Sequence, residues 1–261
     1  MKSPRPPLPT VSTAPLDAGR GLVGDVAILA GEIPLFPVDR MMDLAATATA
    51  RAAVPRRIGW SAIFLKAYAQ VAREMPALRS WIAGRIVTRL ATSSESVGLL
   101  AVNRQDEGRD RLCFARLPRP DTTPLPALQQ AVDRFATRPI SEVFRRQLQI
   151  ESQPGVLRRA ILRWNMTSTS RKRPQRIGTF TLSSLAGFEA TNRFHPTICT
   201  TSLSYGPLDE QGRCLVTVIA DHRILDGVPV ARALVRLEEV LTRDIVAELR
   251  GLRAAPGEAA A

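Results

Sequence analysis

The segment "VIADHRILDG" carries one of the two histidines of the chain, between two aspartates and beside an arginine. His222 follows Asp221 and precedes Arg223, and Asp226 comes four residues after the histidine. A neutral imidazole accepts a proton from a thiol, hydroxyl or amine at physiological pH, and a neighbouring carboxylate can hold the ring in place. A lone histidine at a strand end is more often structural, so the surrounding elements must decide between a structural residue and a general base.

The elements around His222 favour the general base. The apolar run "LVTVIA" predicts a strand that delivers His222 at its carboxyl end, and the following turn leads into a helix with Pro229 in its first turn. Ligand sites are common at such ends because the strand holds side chains rigidly beside an open crevice. We expect Asp221 and Arg223 to brace the strand end as an ion pair, and Gly227 to permit the backbone geometry of the turn.

Apolar periodicity divides the rest of the chain into helices and strands. The segment "WSAIFLKAYAQVAREMP" has the i, i+3, i+4, i+7 pattern of an amphipathic helix, and "SVGLLAVNRQDEGRDRLCFARL" has the two apolar runs of a β-hairpin. "MMDLAATATARAA" has helical composition, whereas "GTFTLSSL" and "TICTTSLSY" are β-rich. We predict an α/β (α+β) fold with one domain over residues 20–250, a disordered proline-rich arm over 1–19 and a disordered tail over 251–261.

Three segments resemble the catalytic domains of the dihydrolipoyl acyltransferases of 2-oxoacid dehydrogenase complexes. "DHRILDG" followed by "ARALVRLEEVL" is similar to their C-terminal signature and to the His-x-x-x-Asp-Gly motif of the related chloramphenicol acetyltransferases. "GTFTLSSLAGF" resembles the family's Gly-Thr-Phe-Thr-Ile-Ser-Asn-Leu-Gly segment, and "GWSAIFLKAYAQVAREMPALRS" resembles its helix with a Lys-Ala pair. The resemblance covers about residues 33–245 and is strongest over 177–241. It implies a chloramphenicol acetyltransferase-like sandwich, a mixed sheet packed against helices.

The resemblance also implies an activity, which is acyl transfer between coenzyme A and a small thiol, hydroxyl or amine acceptor, by direct attack without an acyl-enzyme. His222 matches the family's general base, and Ser183 matches the hydroxyl that stabilises the oxyanion. Ser184 occupies the place usually taken by asparagine, and of the two serines we choose Ser183 as the donor. Asp226 matches an aspartate with an orienting role, and its counterpart in the chloramphenicol enzymes pairs with an arginine.

The family implies a site shared between chains. Its active sites lie between the subunits of a trimer, with the histidine from one copy and the serine from the next, so we expect a homotrimer in which no single chain holds a complete site. Arg20 and Arg40 are the candidates for the arginine that pairs with Asp226. Catalysis in this arrangement depends on assembly.

The chain departs from the multidomain members of the family, which carry a lipoyl domain, a flexible linker and a small binding domain. Its only lysines are Lys2, Lys66 and Lys172, and Lys66 falls on the long helix. We therefore expect no covalently bound lipoyl group in this chain, and a lipoyl acceptor would be presented by another protein.

The composition leaves a binding function open as a weaker alternative. The net charge of +12 comes mainly from arginines spread along the chain, which favours a solvated basic surface, and no nucleic-acid motif accompanies it. A peripheral membrane or nucleic-acid binder would depend on this charge and on the apolar and cationic segment 154–176. The alternative with the same fold is a catalytically inactive scaffold or assembly subunit.

The remaining residues favour a cytoplasmic enzyme without a metal. Cys113, Cys199 and Cys214 lie far apart without metal-binding spacing, which indicates a reducing compartment. No apolar secretory segment and no run of eighteen apolar residues is present, so we expect no integral membrane segment. His195 precedes a proline and a predicted strand, and we interpret it as structural.

Overall fold

A six-stranded mixed sheet forms the centre of the molecule. The structure, a computed structural model, describes residues 12–14, 16–84, 86–106 and 108–254. Within these residues the strands are β1 (Leu35–Asp43), β2 (Ser80–Ala83), β3 (Arg89–Thr92), β4 (Val97–Asp106), β5 (Arg109–Pro118), β6 (Phe180–Ser183), β7 (Thr201–Leu208) and β8 (Arg213–Asp221). The large sheet has the order β1-β8-β7-β6-β4-β5, and β2 and β3 form a separate hairpin. In the large sheet β6 is parallel to β4 and β7, while the other pairs are antiparallel.

Helices cover both faces of the sheet. They are α1 (Ala18–Ala30), α2 (Ala45–Ala52), α3 (Trp60–Glu74), α4 (Leu125–Thr137), α5 (Ile140–Val143), α6 (Arg145–Glu151), α7 (Gly155–Met166), α8 (Arg173–Ile177), α9 (Gly227–Val240) and α10 (Val246–Ala254). A π-helical turn, Leu241–Ile245, joins α9 to α10. The mixed sheet with helices packed against it confirms the α/β fold class predicted from the sequence.

One face of the sheet packs against α3 and α9 to form the main hydrophobic core. The apolar residues of α3 face inward, and Phe64 stacks on Tyr205 of β7 with ring centroids 4.3 Å apart, while Tyr68 meets Phe180 of β6 at 4.8 Å. Burying aromatic rings of this size gives a large hydrophobic contribution, and their mutual packing adds about 0.5–1.5 kcal/mol per pair. This core therefore fixes β6 and β7 relative to α3.

The other face of the sheet is covered more loosely by α1, α6, α7 and α8. Asp25 of α1 forms ion pairs with Arg158 and Arg159 of α7, which ties these two helices together. The apolar clusters beneath them are small, and one contains Leu22 and Leu162. These helices therefore do not pack closely on the sheet, and a cavity lies between the helices and the sheet.

Local differences from the predicted elements have simple physical causes. Met41–Asp43 continue β1 because they pair with β8 in register, so α2 begins only at Ala45 instead of at the methionines. The β2 and β3 hairpin was not predicted, since four-residue strands leave little periodic signal.

At the carboxyl end of the predicted domain, residues 251–254 continue α10 rather than starting a tail. Most of the predicted arm and of the predicted tail, residues 1–11 and 255–261, lies outside the described residues, and α1 begins at Ala18.

The three cysteines are buried and free. Burial raises the pKa of the Cys199 thiol to about 11, which keeps it protonated and unreactive at neutral pH. Within the described part of the chain, no helix has both the length and the apolar character needed to cross a bilayer.

Candidate functional site

The turn after β8 is held by a buried carboxylate. Asp221 is buried at the end of the strand, and the Arg223 guanidinium donates two hydrogen bonds to its oxygens at 2.9 and 2.7 Å. The Arg223 backbone N–H donates a third bond at 3.0 Å, and the Leu225 side chain is buried below the turn. The expected ion pair is therefore present, and it leaves neither Asp221 nor Arg223 available as an unpaired group.

This turn holds the His222 ring at the surface in a defined orientation. The backbone N–H of His222 donates to the Pro34 carbonyl at 2.9 Å, which extends the pairing of β8 with β1. The imidazole lies against the Phe36 ring with centroids 4.7 Å apart, and its Nδ1 lies 3.3 Å from Asp226 Oδ1. The His222 side chain is 55% exposed. Because Nδ1 faces the carboxylate, Nε2 is the ring nitrogen available to take a proton from another molecule.

Among the described residues, no arginine forms the expected ion pair with Asp226. Its side chain is 81% exposed and faces His222. Arg40 pairs with Glu238 of α9 at 2.7 Å, and Arg20 is an exposed residue of α1 without an ion pair among the described residues. Within one chain, the Asp226 carboxylate directly contacts the imidazole that it is expected to orient.

The two serines at the end of β6 have different surroundings. The Ser184 hydroxyl donates to the Tyr205 carbonyl at 2.8 Å and accepts from the Ala186 N–H at 3.1 Å, so it is used to shape the loop. The Ser183 hydroxyl makes no hydrogen bond to the residues that the structure describes, and it faces the cavity between the sheet and its looser helix layer. Ser183 is thus the serine with a donor available for a ligand.

Ser183 and His222 do not meet within one chain. Ser183 pairs with Ser204 on β7, and Ser204 pairs with Thr217 on β8. His222 lies five residues beyond Thr217, which is about 16.5 Å along the strand and about 9.5 Å across two strand spacings. Their Cα atoms are therefore about 19 Å apart, far more than the span of one reacting group.

The cavity beside Ser183 has a volume of about 1010 Å³ and a mainly apolar lining. Its floor is the open face of β4, β5 and β6, and its roof is formed by α1, α6 and α7. The sequence did not predict this cavity, because its walls come from elements between 22 and 198 in the chain and no local pattern joins them.

His195 also lines this cavity. Its Nε2 lies 2.6 Å from the Ser202 hydroxyl and its Nδ1 lies 3.2 Å from the Asn192 amide, so both ring nitrogens have polar partners. Burial lowers the pKa of His195 below its ordinary value. These contacts agree with the structural role predicted for it, and it lies in the wall of the same cavity as Ser183.

The structure gives a structural role to Lys66 and provides no metal cluster. Lys66 is buried on α3 and donates to Glu248 of α10 and to the Thr123 carbonyl, at 3.0 and 2.7 Å. A lysine held in this way is not presented on a hairpin tip. Across residues 12–14, 16–84, 86–106 and 108–254, no group of three or more histidine, cysteine, aspartate and glutamate side chains is arranged to hold a metal ion.

Comparisons with known proteins give matches in structure only. No protein-family model matches the sequence, and no curated protein matches it. The fold is similar to a probable dihydrolipoamide acetyltransferase from Listeria monocytogenes, with TM-score 0.67 and 17% identity over 90% of this chain and 95% of that chain. It is also similar to the cubic core of the pyruvate dehydrogenase multienzyme complex, with TM-score 0.64 and 19% identity over 94% of this chain and 100% of that chain.

A third similar structure comes from a study of catalytic residues. The dihydrolipoamide acetyltransferase of Azotobacter vinelandii has TM-score 0.64 and 18% identity, over 94% of this chain and 100% of that chain, and was investigated for the roles of a serine, a histidine and an asparagine. At these identities the likeness concerns the fold. The chain therefore has the fold of dihydrolipoamide acetyltransferase cores, which confirms the resemblance noted in the sequence at that level.

Proposed function

We propose that the chain is a coenzyme-A-dependent acyltransferase whose active site forms between two copies, with His222 from one copy and Ser183 from the next. The acyl group moves between coenzyme A and a small thiol, hydroxyl or amine acceptor, or a lipoyl group carried by another protein. The observation that carries this proposal is the His222 ring, held at a strand end with Nε2 open, on the fold of acetyltransferase cores.

The chemistry assigned to these residues is a direct transfer. His222 Nε2 removes the proton from the acceptor while the acceptor atom attacks the thioester carbonyl carbon. The oxyanion of the tetrahedral intermediate accepts a hydrogen bond from the Ser183 hydroxyl. When the intermediate collapses, the carbon–sulfur bond breaks, and the coenzyme A thiolate takes the proton from the imidazolium. The acceptor gains the acyl group, and His222 returns to its neutral form.

Asp226 is assigned an orienting role. Its contact with Nδ1 favours the tautomer that carries the proton on Nδ1 and leaves Nε2 as the base. In the Azotobacter enzyme, the asparagine under investigation lies four positions after the histidine, which is the spacing of Asp226 from His222. In both proteins, a side-chain oxygen at this position can orient the histidine in the same way.

A homotrimer is the assembly that we propose. The separation of about 19 Å between the two residues requires the histidine and the serine to come from different copies, if they act on one carbonyl. One of the similar structures is the cubic core of a multienzyme complex, so the fold supports closed assemblies. The three buried free cysteines fit a reducing compartment, and we place the enzyme in the cytoplasm.

The acceptor is a separate molecule in this proposal. Lys66 is occupied by Glu248 and cannot carry a lipoyl group in its observed position, so a lipoyl acceptor would come from another protein. The excess of arginine gives the chain a net charge of +12, which attracts the phosphates of coenzyme A.

The test is release of free coenzyme A thiol from acetyl, propionyl and longer acyl donors, with dihydrolipoamide and a pool of small hydroxyl and amine acceptors. We expect release that depends on an acceptor, and a fall in kcat of about 10²- to 10⁴-fold in His222→Ala. Arg243→Gln is the matched control, because Arg243 is exposed and lies in the turn after α9, away from both residues.

The scaffold alternative predicts a different result. An assembly subunit without activity would show no acceptor-dependent release in the wild-type protein, while keeping the same oligomeric state as His222→Ala. Unchanged turnover in a folded His222→Ala variant would contradict the assigned base.

A further inference from the structure

The floor of the cavity includes both Ser183 and Arg116. Leu99 of β4 pairs with Arg116 on β5 and with Thr181 on β6, so these three side chains point to the same face at one level of the sheet. Ser183 lies two residues further along β6 on the same face. Two residues along a strand and two strand spacings place the Cα atoms of Arg116 and Ser183 about 12 Å apart. Both side chains line the cavity.

The cavity wall carries positive charge that the described residues do not neutralise. Arg116, Arg146 and Arg176 line it, and none of them forms an ion pair within the part of the chain that the structure describes. Two acidic residues of the helices that line the cavity are already paired, since Glu151 pairs with Arg111 and Asp25 pairs with arginines of α7.

The Arg116 guanidinium has donors to spare. Its Nε and Nη2 donate to the Arg176 carbonyl at 3.2 Å, while Nη1 makes no hydrogen bond to the described residues. Burial and the neighbouring Arg146 lower the pKa of Arg116 to about 10, because both disfavour the charged form. An anion beside Arg116 would relieve this repulsion and would accept a charge-assisted hydrogen bond.

The rest of the lining is suited to an apolar molecule. Leu99, Ala101, Phe114, Ile150 and Ile198 are among its apolar side chains. A volume of about 1010 Å³ is at the upper end of the usual range for ligand pockets, which bury most of a bound molecule's surface against such walls. An acetyl group would leave most of this space empty.

We propose that this cavity binds one of the two substrates of the transfer, and that this substrate is an apolar molecule with one anionic group. The apolar part lies on the floor formed by β4, β5 and β6, the anionic group contacts Arg116 and Arg146, and the reacting end meets Ser183. The assignment of the reacting end rests on the proposed acyltransferase function, whereas the binding site itself does not.

The test is direct binding of decanoate to the full chain by isothermal titration calorimetry, without coenzyme A. Decan-1-ol is the uncharged counterpart. We expect decanoate to bind more tightly than decan-1-ol, and Arg116→Gln to weaken decanoate about tenfold while leaving decan-1-ol unchanged. Ala101→Trp, which fills the cavity above the floor, is expected to abolish the binding of both compounds. Arg243→Gln is the control for general charge.

The variants are chosen so that loss of folding does not decide the result. Arg146 is exposed on α6, so Arg146→Gln tests the same charge without disturbing the floor, and we expect a smaller loss of decanoate affinity. Absence of decanoate binding to the wild type, or equal affinity in wild type, Arg116→Gln and Arg146→Gln, would overturn the proposal. Binding of decanoate by a folded His222→Ala protein that has no measurable transfer would support this site independently of the activity.

Discussion

Ser183 and Ser184 are neighbours in sequence, and their contacts separate their roles. Ser184 shapes the loop through two hydrogen bonds to backbone groups, whereas Ser183 presents its hydroxyl to the cavity. From the sequence, Ser183 was the chosen oxyanion donor and Ser184 the alternative. What distinguishes them is the carbonyl of Tyr205, which β7 brings beside β6, and this contact between distant segments has no local signature.

Replacement of each serine by alanine tests this distinction. Ser183→Ala is expected to lower kcat about 10²- to 10³-fold with little change in stability, because it removes a donor to the oxyanion. Ser184→Ala is expected to lower stability by about 0.5–1.5 kcal/mol and to change kcat much less. Steady-state kinetics and urea unfolding of both variants supply the measurement. The reverse order of the kcat values would assign the donor to Ser184.

His195 provides a test of how stability depends on pH. Burial lowers its pKa below the ordinary value of 6.5, so the unfolded chain binds this proton more readily than the folded chain. The stability contributed by neutral His195 is therefore complete above pH ~6.5 and is lost as the pH falls towards the folded pKa. In urea unfolding, we expect the midpoint of wild type to fall more than that of His195→Gln between about pH 7.5 and about pH 5.5. Equal falls would show that His195 carries no such linkage.

At the scale of elements, β6 is a short strand whose position depends on the glycine before it. Gly178 has a φ of +89°, and a Cβ at this residue would lie 2.6 Å from Leu99 of β4. A side chain here is disfavoured both by the backbone conformation and by the contact. Because β6 carries Ser183 at its end, the conformation of Gly178 also determines where the serine lies.

Gly178→Ala is expected to destabilise the protein by about 1–3 kcal/mol and to lower kcat as well, since β6 must shift. Gly187→Ala is the matched control, because nothing lies within 4 Å of a Cβ at Gly187 and its φ is not positive. Thermal unfolding and acceptor-dependent thiol release measure the two effects. A stable and fully active Gly178→Ala protein would show that β6 tolerates the added methyl group.

Sequence patterns predicted some of the elements and missed others. Helix α3, the hairpin of β4 and β5 and the strand before His222 were predicted because each has a clear apolar period or a run of buried residues. The hairpin of β2 and β3 was missed, and the extension of β1 through Asp43 depends on pairing with β8 rather than on local propensity. Contacts between distant segments therefore account for what the patterns left out.

In the molecule as a whole, the sheet holds Ser183 and His222 too far apart within one chain to act on the same carbonyl. The strand register separates Ser183 from His222 by about 19 Å, although both lie at ends of strands in the same sheet. The His222 ring is exposed where it can face another chain, and Ser183 opens into the cavity. The motifs predicted both residues, whereas the register gives the distance between them, which a second copy bridges in the proposed mechanism.

The two faces of the sheet differ in how closely their helices pack against it. Aromatic and aliphatic side chains fill the space between α3, α9 and the sheet, so that face has a continuous core. On the opposite face, charged pairs between α1 and α7 hold the helices in place while the space below them stays open. This asymmetry is not visible in the composition, because α7 on the open side and α3 and α9 on the core side are all amphipathic helices.

Complementation between two inactive variants is the sharpest test of an active site formed between copies. His222→Ala and Ser183→Ala chains with different affinity tags are produced together, and trimers that contain both are purified through both tags. In a cyclic trimer of mixed composition, one site in three joins an intact His222 to an intact Ser183, so we expect about one third of wild-type activity. Activity of the mixed trimers no higher than that of either variant alone would contradict an active site formed between copies.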